Sequence, residues 1–449
     1  MRRSGGPQWS QTPAGEWSAG ESWRVFLMIT RCGHYTMPMS VHDIRPLADA
    51  DVSGKRVLVR VDHNIELNAD GKLKNDEKIQ ATLPTIEHLL TAGAHIILMT
   101  HVGRPKGKAD PKLSTVHVAK HLGTLLPKVT VMHITQTVGP EAQEAAKNLA
   151  EGSILYLENV RFHSGEEGSP DEQKALGKDM ASLGEVFVNE AFASCHEYEE
   201  ASTCAVARLL PSFGGLHLQR EVSMLSSALH EPTHPVVLIL SGAKMETKIP
   251  VIERFLTKGD HILLGGCIAN TFIAARGFNI GKSKYEEEHL AKAQETVRES
   301  EKEGRATIHV PGDAIVAAEP KDGTDETCVP VQSISSQQGI FDIGTATVAK
   351  YREIIASAKT IVWNGPLGLY EVDRFSHASG HIADAIAQAT KGSPGSPGAT
   401  SIIGGGDTID FHIRYKHPLD AYTFVSTGGG AMLEFIGGKE LPAIEALRR

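Results

Sequence analysis

The chain has 449 residues, of which 41% are hydrophobic and 22% are charged, and its formal net charge is −9 at pH 7. This length suits two or three domains, and the composition is that of an ordinary globular protein. The acidic balance argues against a general nucleic-acid binder, and no apolar stretch of the sequence approaches the ~20 residues of a membrane span. The five cysteines are scattered without a C-x-x-C pair, so neither a disulfide framework nor a zinc site is indicated. We expect a cytoplasmic protein without nucleic-acid or membrane partners.

Residues 1–40 differ in amino-acid composition from the rest of the chain. They mix Gly, Ser, Trp and Pro, and their one apolar run, Val25–Ile29, is shorter than the core of a signal peptide. This segment is predicted to be a disordered N-terminal extension, or to result from a start codon assigned too early.

From Asp43 onward, short apolar runs alternate with helix-length segments of mixed polarity. Strands separated by helices indicate β-α-β units with a mostly parallel sheet, and ten such runs indicate two sheets. The predicted fold class is α/β with two domains, residues 41–215 and 216–435. A hinge or an ordinary loop is predicted at Leu210–Gly215, where a proline precedes paired glycines. The ten runs are Arg56–Val61, His95–Thr100, Ile154–Leu157, Val186–Val188, Val236–Leu240, His261–Leu264, Thr307–Val310, Thr360–Trp363, Ser401–Ile403 and Tyr422–Val425.

The residues just after each run carry the functional information, because ligands of parallel sheets bind beyond the carboxyl ends of the strands. In the first half these positions hold charged and hydrogen-bonding groups, namely Asp62, Asn64, His101, Arg104, Arg161, Asn189 and Glu190. In the second half they hold small residues, as in Ser241–Lys244, Gly265–Gly266, Pro311–Asp313 and Asn364–Pro366. The first domain is therefore predicted to bind a small polar metabolite and the second a nucleotide.

Two glycine runs, Gly404–Gly406 and Gly428–Gly430, each follow an apolar run directly. Consecutive glycines let backbone N–H groups approach an anion, and a helix that starts there adds its positive end. Tight turns are the alternative interpretation. Lys244 and Lys248 lie four positions apart and are expected to share one helix face toward the phosphates, although a solvated helix face would look the same. Two interpretations of Arg104 are equally plausible from the sequence: it binds an anion, or it forms a surface salt bridge.

Taken together, these motifs resemble those of the phosphoglycerate kinase family, in the same order and spacing from about Val41 to Leu447. They are Arg60–Asn64, His101–Pro105, Glu158–His163, Gly242–Lys244 with Lys248, Gly265–Phe272, Trp363–Pro366, Gly404–Thr408 and Ser426–Ala431. The resemblance implies a glycolytic phosphotransferase that moves a phosphoryl group between 1,3-bisphosphoglycerate and MgADP, giving 3-phosphoglycerate and MgATP. It also implies an active-site cleft between two Rossmann-like domains joined by a hinge, a monomer, and a C-terminal segment, 436–449, that returns to the first domain.

The resemblance assigns roles to matching positions. Those expected to act in catalysis are Arg161, Lys244 and Lys248. Those expected to bind the acid substrate are Asp62, Asn64, Lys78, His101, Arg104 and Arg161. Those expected to bind the nucleotide are Lys248, Gly265, Gly266, Asn364, Pro366, Glu371, Gly404, Gly405, Gly406, Asp407 and Thr408. Asp407 is expected to hold Mg²⁺, and ADP or ATP is the co-substrate. These roles agree with phosphoryl transfer, which needs positioning and charge neutralisation rather than a covalent nucleophile.

Several positions on the substrate side depart from the family pattern. Lys78 stands where the family has Arg, so the charge is kept but the bidentate fork is lost. Glu197 stands where the family has an anion-binding Arg, and an insertion of about one residue near Tyr198 leaves open whether this carboxylate faces the site. Glu190 replaces an Asp, and His63 and Glu66 replace a Phe and a Pro.

Besides an active phosphoglycerate kinase, the sequence allows a related kinase for a less anionic acid, or a nucleotide-binding protein without catalysis. An NAD-dependent enzyme is disfavoured because no G-x-G-x-x-G is suitably placed.

Overall fold

The computed structural model describes residues 44–448 except 69–71, 197–198 and 394–396. The predicted N-terminal extension over 1–40 lies outside the described residues. So does Glu197, and its orientation therefore stays a prediction.

The first sheet has six strands, β1 Arg56–Arg60, β2 His95–Met99, β3 Thr130–His133, β4 Ser153–Tyr156, β5 Val186–Asn189 and β6 Ser212–Gly214. They are parallel and lie in the order β3-β4-β2-β1-β5-β6. The central strands are buried almost throughout, as expected for a parallel sheet covered by helices on both faces. Its apolar core includes Val57, Ile96 and Val186, with Ile79 and Ile86 from a covering helix.

The second sheet also has six strands, β7 Val236–Leu240, β8 His261–Leu264, β9 Thr307–His309, β13 Thr360–Asn364, β14 Thr400–Gly404 and β15 Phe424–Ser426. They too are parallel, in the order β15-β14-β13-β7-β8-β9. A small third sheet is formed by β10 Asp313–Ala317, β11 Glu326–Pro330 and β12 Gly339–Ile343. Its strands are antiparallel and lie in the order β11-β10-β12.

The helices pack against the two parallel sheets and between them. They are Glu77–Thr91, Val116–Leu125, Pro140–Lys147, Pro170–Ala181, Leu216–His230, Ile249–Lys258, Gly266–Ala275, Leu290–Ser300, Thr345–Ser357, His377–Lys391, Gly406–Tyr415, Gly430–Ile436 and Pro442–Glu445. No helix among the described residues is both long and apolar enough to span a bilayer.

The α/β prediction with two mostly parallel sheets is confirmed, and each of the ten predicted runs overlaps a strand. Five further strands of the described chain, β3, β6 and β10 to β12, were not predicted. β3 alternates exposed and half-buried residues, and β11 is mostly exposed, so neither forms an apolar run.

The segment predicted as a hinge contains β6, and it is attached to the first sheet. The backbone N–H of Gly215 donates to the carbonyl of Asn189 across 2.9 Å. The buried carboxylate of Glu190 accepts from the backbone N–H groups of His217 and Leu218 at 3.0 and 3.2 Å, at the start of helix Leu216–His230. Glu190 therefore anchors a helix N-terminus, where the free N–H groups and the helix dipole favour a negative charge, while burial acts in the opposite direction and raises the pKa of Glu190 to about 8.

Candidate active site

The carboxyl ends of both parallel sheets open onto one cavity of about 300 Å³, which we call the cleft cavity. From the first sheet, Asp62 and Asn64 follow β1, His101 follows β2, and Lys78 comes from the helix that begins at Glu77. From the second sheet the lining includes Gly405, Gly406 and residues 426–430. The structure thus brings the predicted substrate side and the predicted phosphate turn to a common space.

Asp62 organises the floor of the cleft cavity. Its Oδ2 lies 2.7 Å from the ammonium of Lys78, and its Oδ1 accepts from the backbone N–H of Asn64 at 3.2 Å. Burial alone would raise the pKa of Asp62, but the adjacent Lys78 charge holds that pKa well below its usual range. Asn64 is oriented in turn, because its Oδ1 accepts from the N–H of Gly103 at 2.9 Å. These groups present a charged pair and an amide to a ligand.

The protonation state of His101 follows from its neighbour. Nη2 of Arg60 lies 2.8 Å from Nδ1 of His101, and a guanidinium can only donate, so Nδ1 is the acceptor. Burial and the charges of Arg60 and Arg161 lower the pKa of His101 well below its usual value. The imidazole is therefore neutral, with its proton on Nε2, where it can donate to a ligand in the cavity.

Arg161 lies behind the cavity wall rather than on it. It is buried, and its Nη2 lies 2.7 Å from Oε1 of Glu200, a carboxylate that is 1% exposed. Its Nε lies 2.9 Å from Oε1 of Glu167, and its Nη1 donates weakly to the carbonyl of Gly103 at 3.4 Å. Arg104 is exposed and is not among the described residues that line the cleft cavity. The substrate roles of both arginines remain predictions.

Glu200 belongs to a buried charge network that was not predicted. Its Oε2 lies 3.5 Å from Nη2 of Arg60, whose Nε donates to the hydroxyl of Ser202 at 2.8 Å. Ser202 in turn donates to the buried Glu166. Burial and the nearby charge of Glu200 raise the pKa of Glu166 to about 7. The acidic run that contains Glu200 was visible in the sequence, but its burial against two arginines was not.

His63, which departs from the family pattern, lies in the core rather than in the site. Thr82 donates to the carbonyl of Ile79, so its hydroxyl accepts from Nε2 of His63 at 2.9 Å. Nδ1 then accepts from the hydroxyl of Tyr156 at 2.8 Å. Burial lowers the pKa of His63 to about 3, which matches a neutral ring with both nitrogens bonded. Glu66 is not among the described residues that line the cleft cavity, and it forms an exposed ion pair with Lys74.

A second cavity, of about 340 Å³, lies on the second sheet, and we call it the nucleotide-side cavity. Four residues predicted to bind the nucleotide line it: Gly266, Pro366, Glu371 and Asp407. Phe341, Ile343, Leu369 and Tyr370 supply apolar surface. Gly265 packs tightly beside it, since a Cβ there would lie 2.4 Å from Leu367. This combination of an apolar wall with a few polar groups suits a planar base and its sugar.

The predicted phosphate turn joins the two cavities. β14 ends at Gly404, and Gly406 begins helix Gly406–Tyr415. Between them Gly405 has φ +101°, and a Cβ at this position would lie 2.8 Å from Nδ2 of Asn364. Gly405 and Gly406 line the cleft cavity, whereas Asp407 lines the nucleotide-side cavity. Thr408 is buried, and its hydroxyl accepts from the N–H of Gly365 at 2.8 Å, so it stabilises the turn.

Lys248 lies at this turn, but the predicted helix face shared with Lys244 is wrong. Residues 242–248 form bends and turns, and the helix begins only at Ile249, with Pro250 in its first turn. Lys244 is exposed, whereas Lys248 is buried and donates to the amide oxygen of Asn364. Burial lowers the pKa of Lys248 to about 8, and the charge of Asp407 opposes this shift.

The second glycine run is held by a residue that was not predicted, the buried Glu221. Its carboxylate accepts from the hydroxyl of Ser426 and from the N–H of Thr427, both at 2.7 Å. The hydroxyl of Thr427 lies 2.8 Å from Nε2 of His217. Helix Leu216–His230 therefore contacts both the end of β5, through Glu190, and the end of β15.

Comparisons with known proteins agree with this geometry. The sequence model of the phosphoglycerate kinase family matches residues 47–439. The chain is 40% identical to the phosphoglycerate kinase of Desulforudis audaxviator over 404 residues, covering 90% of this chain and 99% of that protein. It is 42% identical to that of Koribacter versatilis over 411 residues, covering 89% and 98%.

Solved structures give the same result. The phosphoglycerate kinase of Coxiella burnetii superposes with a TM-score of 0.78 at 37% identity, covering 90% of this chain and 98% of that one. The enzyme of Pyrococcus horikoshii superposes with a TM-score of 0.77 at 33% identity and the same coverages. The fold, the order of the motifs and the sequence identity lead to one conclusion: this chain belongs to the phosphoglycerate kinase family.

Proposed function

We propose that this protein catalyses reversible phosphoryl transfer between 1,3-bisphosphoglycerate and MgADP, giving 3-phosphoglycerate and MgATP. One observation carries the proposal. The cleft cavity is lined at once by the polar strand ends Asp62, Asn64 and His101 and by the glycine turn Gly405–Gly406. A carboxylate acceptor bound by the first set would therefore face a terminal phosphate bound by the second.

On the acid side, the neutral His101 can donate from Nε2, and Asn64 and Lys78 can supply a further amide and ammonium. Asp62 holds Lys78 in place and can accept a hydroxyl proton of the substrate in a hydrogen bond. None of these groups needs to form a covalent bond, because phosphoryl transfer depends on alignment and charge stabilisation. Their role is to hold the acid with one carboxylate oxygen directed at the turn.

On the nucleotide side, the N–H groups at the start of helix Gly406–Tyr415 can hold phosphate oxygens. Lys248 approaches the same turn through Asn364 and, when protonated, neutralises charge that develops on the transferred group. Pro366 and the apolar wall of the nucleotide-side cavity can hold the base, with Glu371 near the sugar. Lys244 is exposed to solvent. We propose that it contacts the nucleotide phosphates from the solvent side.

The site fits a Mg²⁺ ion that arrives on the nucleotide. Among the described residues there is no group of three or more His, Cys, Asp or Glu side chains that could hold a metal alone. Mg²⁺ in phosphoryl-transfer sites needs only one or two carboxylates besides the phosphates, and Asp407 lies in the first turn of the helix that begins at Gly406. When bound, the ion would neutralise phosphate charge. Asp407 is the residue that would hold it.

We further propose the domain division at 41–215 and 216–435, with segment 436–449 returning to the first domain. The backbone N–H of Ala443 donates to the carbonyl of Cys195 at 3.3 Å, which supports that return. Closure of the two domains about a hinge would bring the reactants together and exclude water. We expect a cytoplasmic monomer that acts on small molecules, and the net charge of −9 supports the absence of a nucleic-acid partner.

A coupled assay tests the function. Purified protein, MgATP and 3-phosphoglycerate are mixed with an excess of an NADH-dependent dehydrogenase that reduces 1,3-bisphosphoglycerate, and NADH loss is followed. The proposal predicts a rate proportional to the amount of protein and abolished without either substrate. No rate at millimolar substrate, with MgADP still bound in calorimetry, would instead indicate a nucleotide-binding protein without this activity.

A further inference from the structure

Two arginines lie behind the wall of the cleft cavity. Arg60 is fully buried and donates to the cavity-lining His101 across 2.8 Å. Arg161 is close enough to His101 to contribute to the lowered pKa of its imidazole. Guanidinium groups stay charged at any physiological pH. By themselves these two would make the wall strongly attractive to an anionic group of a ligand.

Glu200 cancels much of that attraction. Its carboxylate lies 2.7 Å from Nη2 of Arg161 and 3.5 Å from Nη2 of Arg60, and it is 1% exposed. Glu167 places a second carboxylate 2.9 Å from Nε of Arg161. These two carboxylates therefore offset part of the positive charge of the two guanidinium groups. Because water is excluded around Glu200, dissolved salt screens this compensation little.

We propose that Glu200 is a specificity-determining residue, an internal counter-ion that weakens binding of the phosphate group of the acid substrate. This inference rests on the proposed function, since phosphoglycerate is the anion concerned. Glu200 acts through Arg161 and Arg60 rather than by contact with the substrate. It should therefore raise the KM for 3-phosphoglycerate while leaving the KM for MgATP unchanged.

The test is steady-state kinetics of Glu200→Gln in the full-length protein. Glutamine keeps the shape and one acceptor oxygen but removes the charge. We expect the KM for 3-phosphoglycerate to fall about tenfold, and the KM for MgATP to change less than about twofold. Calorimetry should show the same fall in Kd for 3-phosphoglycerate, and a smaller fall for glycerate, which lacks the phosphate. Glu200→Asp, which keeps the charge, should retain the high KM.

Glu199→Gln is the matched control. Glu199 is the neighbouring residue and carries the same charge, but it is exposed and pairs with Arg208 at 2.6 and 2.9 Å. Its neutralisation should leave both KM values at the wild-type level. Removing one partner of a buried ion pair can cost stability. MgADP binding therefore verifies the fold of each variant, and the more exposed Glu167→Gln offers a second route to a lower KM.

Unchanged KM and Kd values for 3-phosphoglycerate in both Glu200→Gln and Glu167→Gln, with the wild type active, would overturn this inference alone. An equal increase in affinity for 3-phosphoglycerate in Glu199→Gln would also overturn it, because the effect would then come from the change in overall charge and not from the position of Glu200. If the wild type neither binds nor turns over 3-phosphoglycerate while it binds MgADP, the proposed function itself is contradicted, and this inference with it.

Discussion

Lys248 donates a hydrogen bond to the amide oxygen of Asn364, which lies 116 positions later in the chain. The amide nitrogen of Asn364 donates in turn to the carbonyl of Gly404 at 2.9 Å. A buried ammonium is thereby linked to the turn that we propose for phosphate binding. Because burial lowers the pKa of Lys248 to about 8, the charge of this group depends on pH within the working range of most enzymes.

The first prediction concerns this dependence. Lys248 is charged below its pKa and neutral above it, so kcat/KM for MgATP should fall as pH rises through about 8. Lys248→Arg should be less active but should not show this decline, since arginine keeps its charge. The measurement is a pH profile of both proteins in the coupled assay. A wild-type plateau that continues to about pH 9.5 would show that this lysine is not the titrating group.

The second prediction concerns the turn itself. Gly405 has φ +101°, and a Cβ there would lie 2.8 Å from Asn364 Nδ2, so Gly405→Ala should cost about 1–3 kcal/mol of unfolding free energy. Gly406→Ala is the control, because nothing lies within 4 Å of its Cβ position. Urea unfolding of both variants measures the difference. Equal stabilities would argue against the strained turn.

The third prediction concerns His63. Its pKa is lowered from 6.5 in the unfolded chain to about 3, so it contributes stability that is complete above pH 6.5 and is lost progressively as the pH falls from 6.5 to about 3. Replacement by Phe removes this dependence. The unfolding free energy of the wild type should therefore fall relative to His63→Phe as pH is lowered from 6.5. Parallel stability curves for the two proteins would mean that the ring is not buried in its neutral form.

The fourth prediction concerns the start of helix Leu216–His230. Glu190→Ala leaves the N–H groups of His217 and Leu218 without their acceptor and should cost about 2–3 kcal/mol. Glu190→Gln keeps a side-chain oxygen for one of these groups and should cost less. Denaturant midpoints, measured with unchanged m-values, provide the comparison. Equal losses of unfolding free energy in the two variants would indicate that Glu190 stabilises the protein through side-chain packing rather than by accepting hydrogen bonds at the helix start.

Much of the site could be predicted because parallel strands end at a common edge. Asp62, His101 and the Gly404–Gly406 turn each follow an apolar run directly, and the structure places all three beside the cavities. The reason is geometric, since strand order alone brings such residues together once two parallel sheets are recognised.

Other features depended on tertiary packing and could not be predicted. The ion pair of Arg60 with Glu200 joins residues 140 positions apart, and the sequence shows only an acidic run. The expected helix through Lys244 failed because Pro250 favours the first turn of a helix, so the helix begins at Ile249. β11 could not be predicted because most of its residues are exposed. An exposed antiparallel strand does not contain the run of apolar residues that marks a buried parallel strand.

In the direction of ATP use, the proposed reaction makes an acyl phosphate from a carboxylate and ATP. The direct measurement is to incubate the protein with MgATP and 3-phosphoglycerate in the presence of hydroxylamine, which converts an acyl phosphate to a hydroxamate. We expect hydroxamate and ADP in equal amounts, with both requiring 3-phosphoglycerate. ADP formed without hydroxamate, or neither product from protein that still binds MgADP, would contradict it.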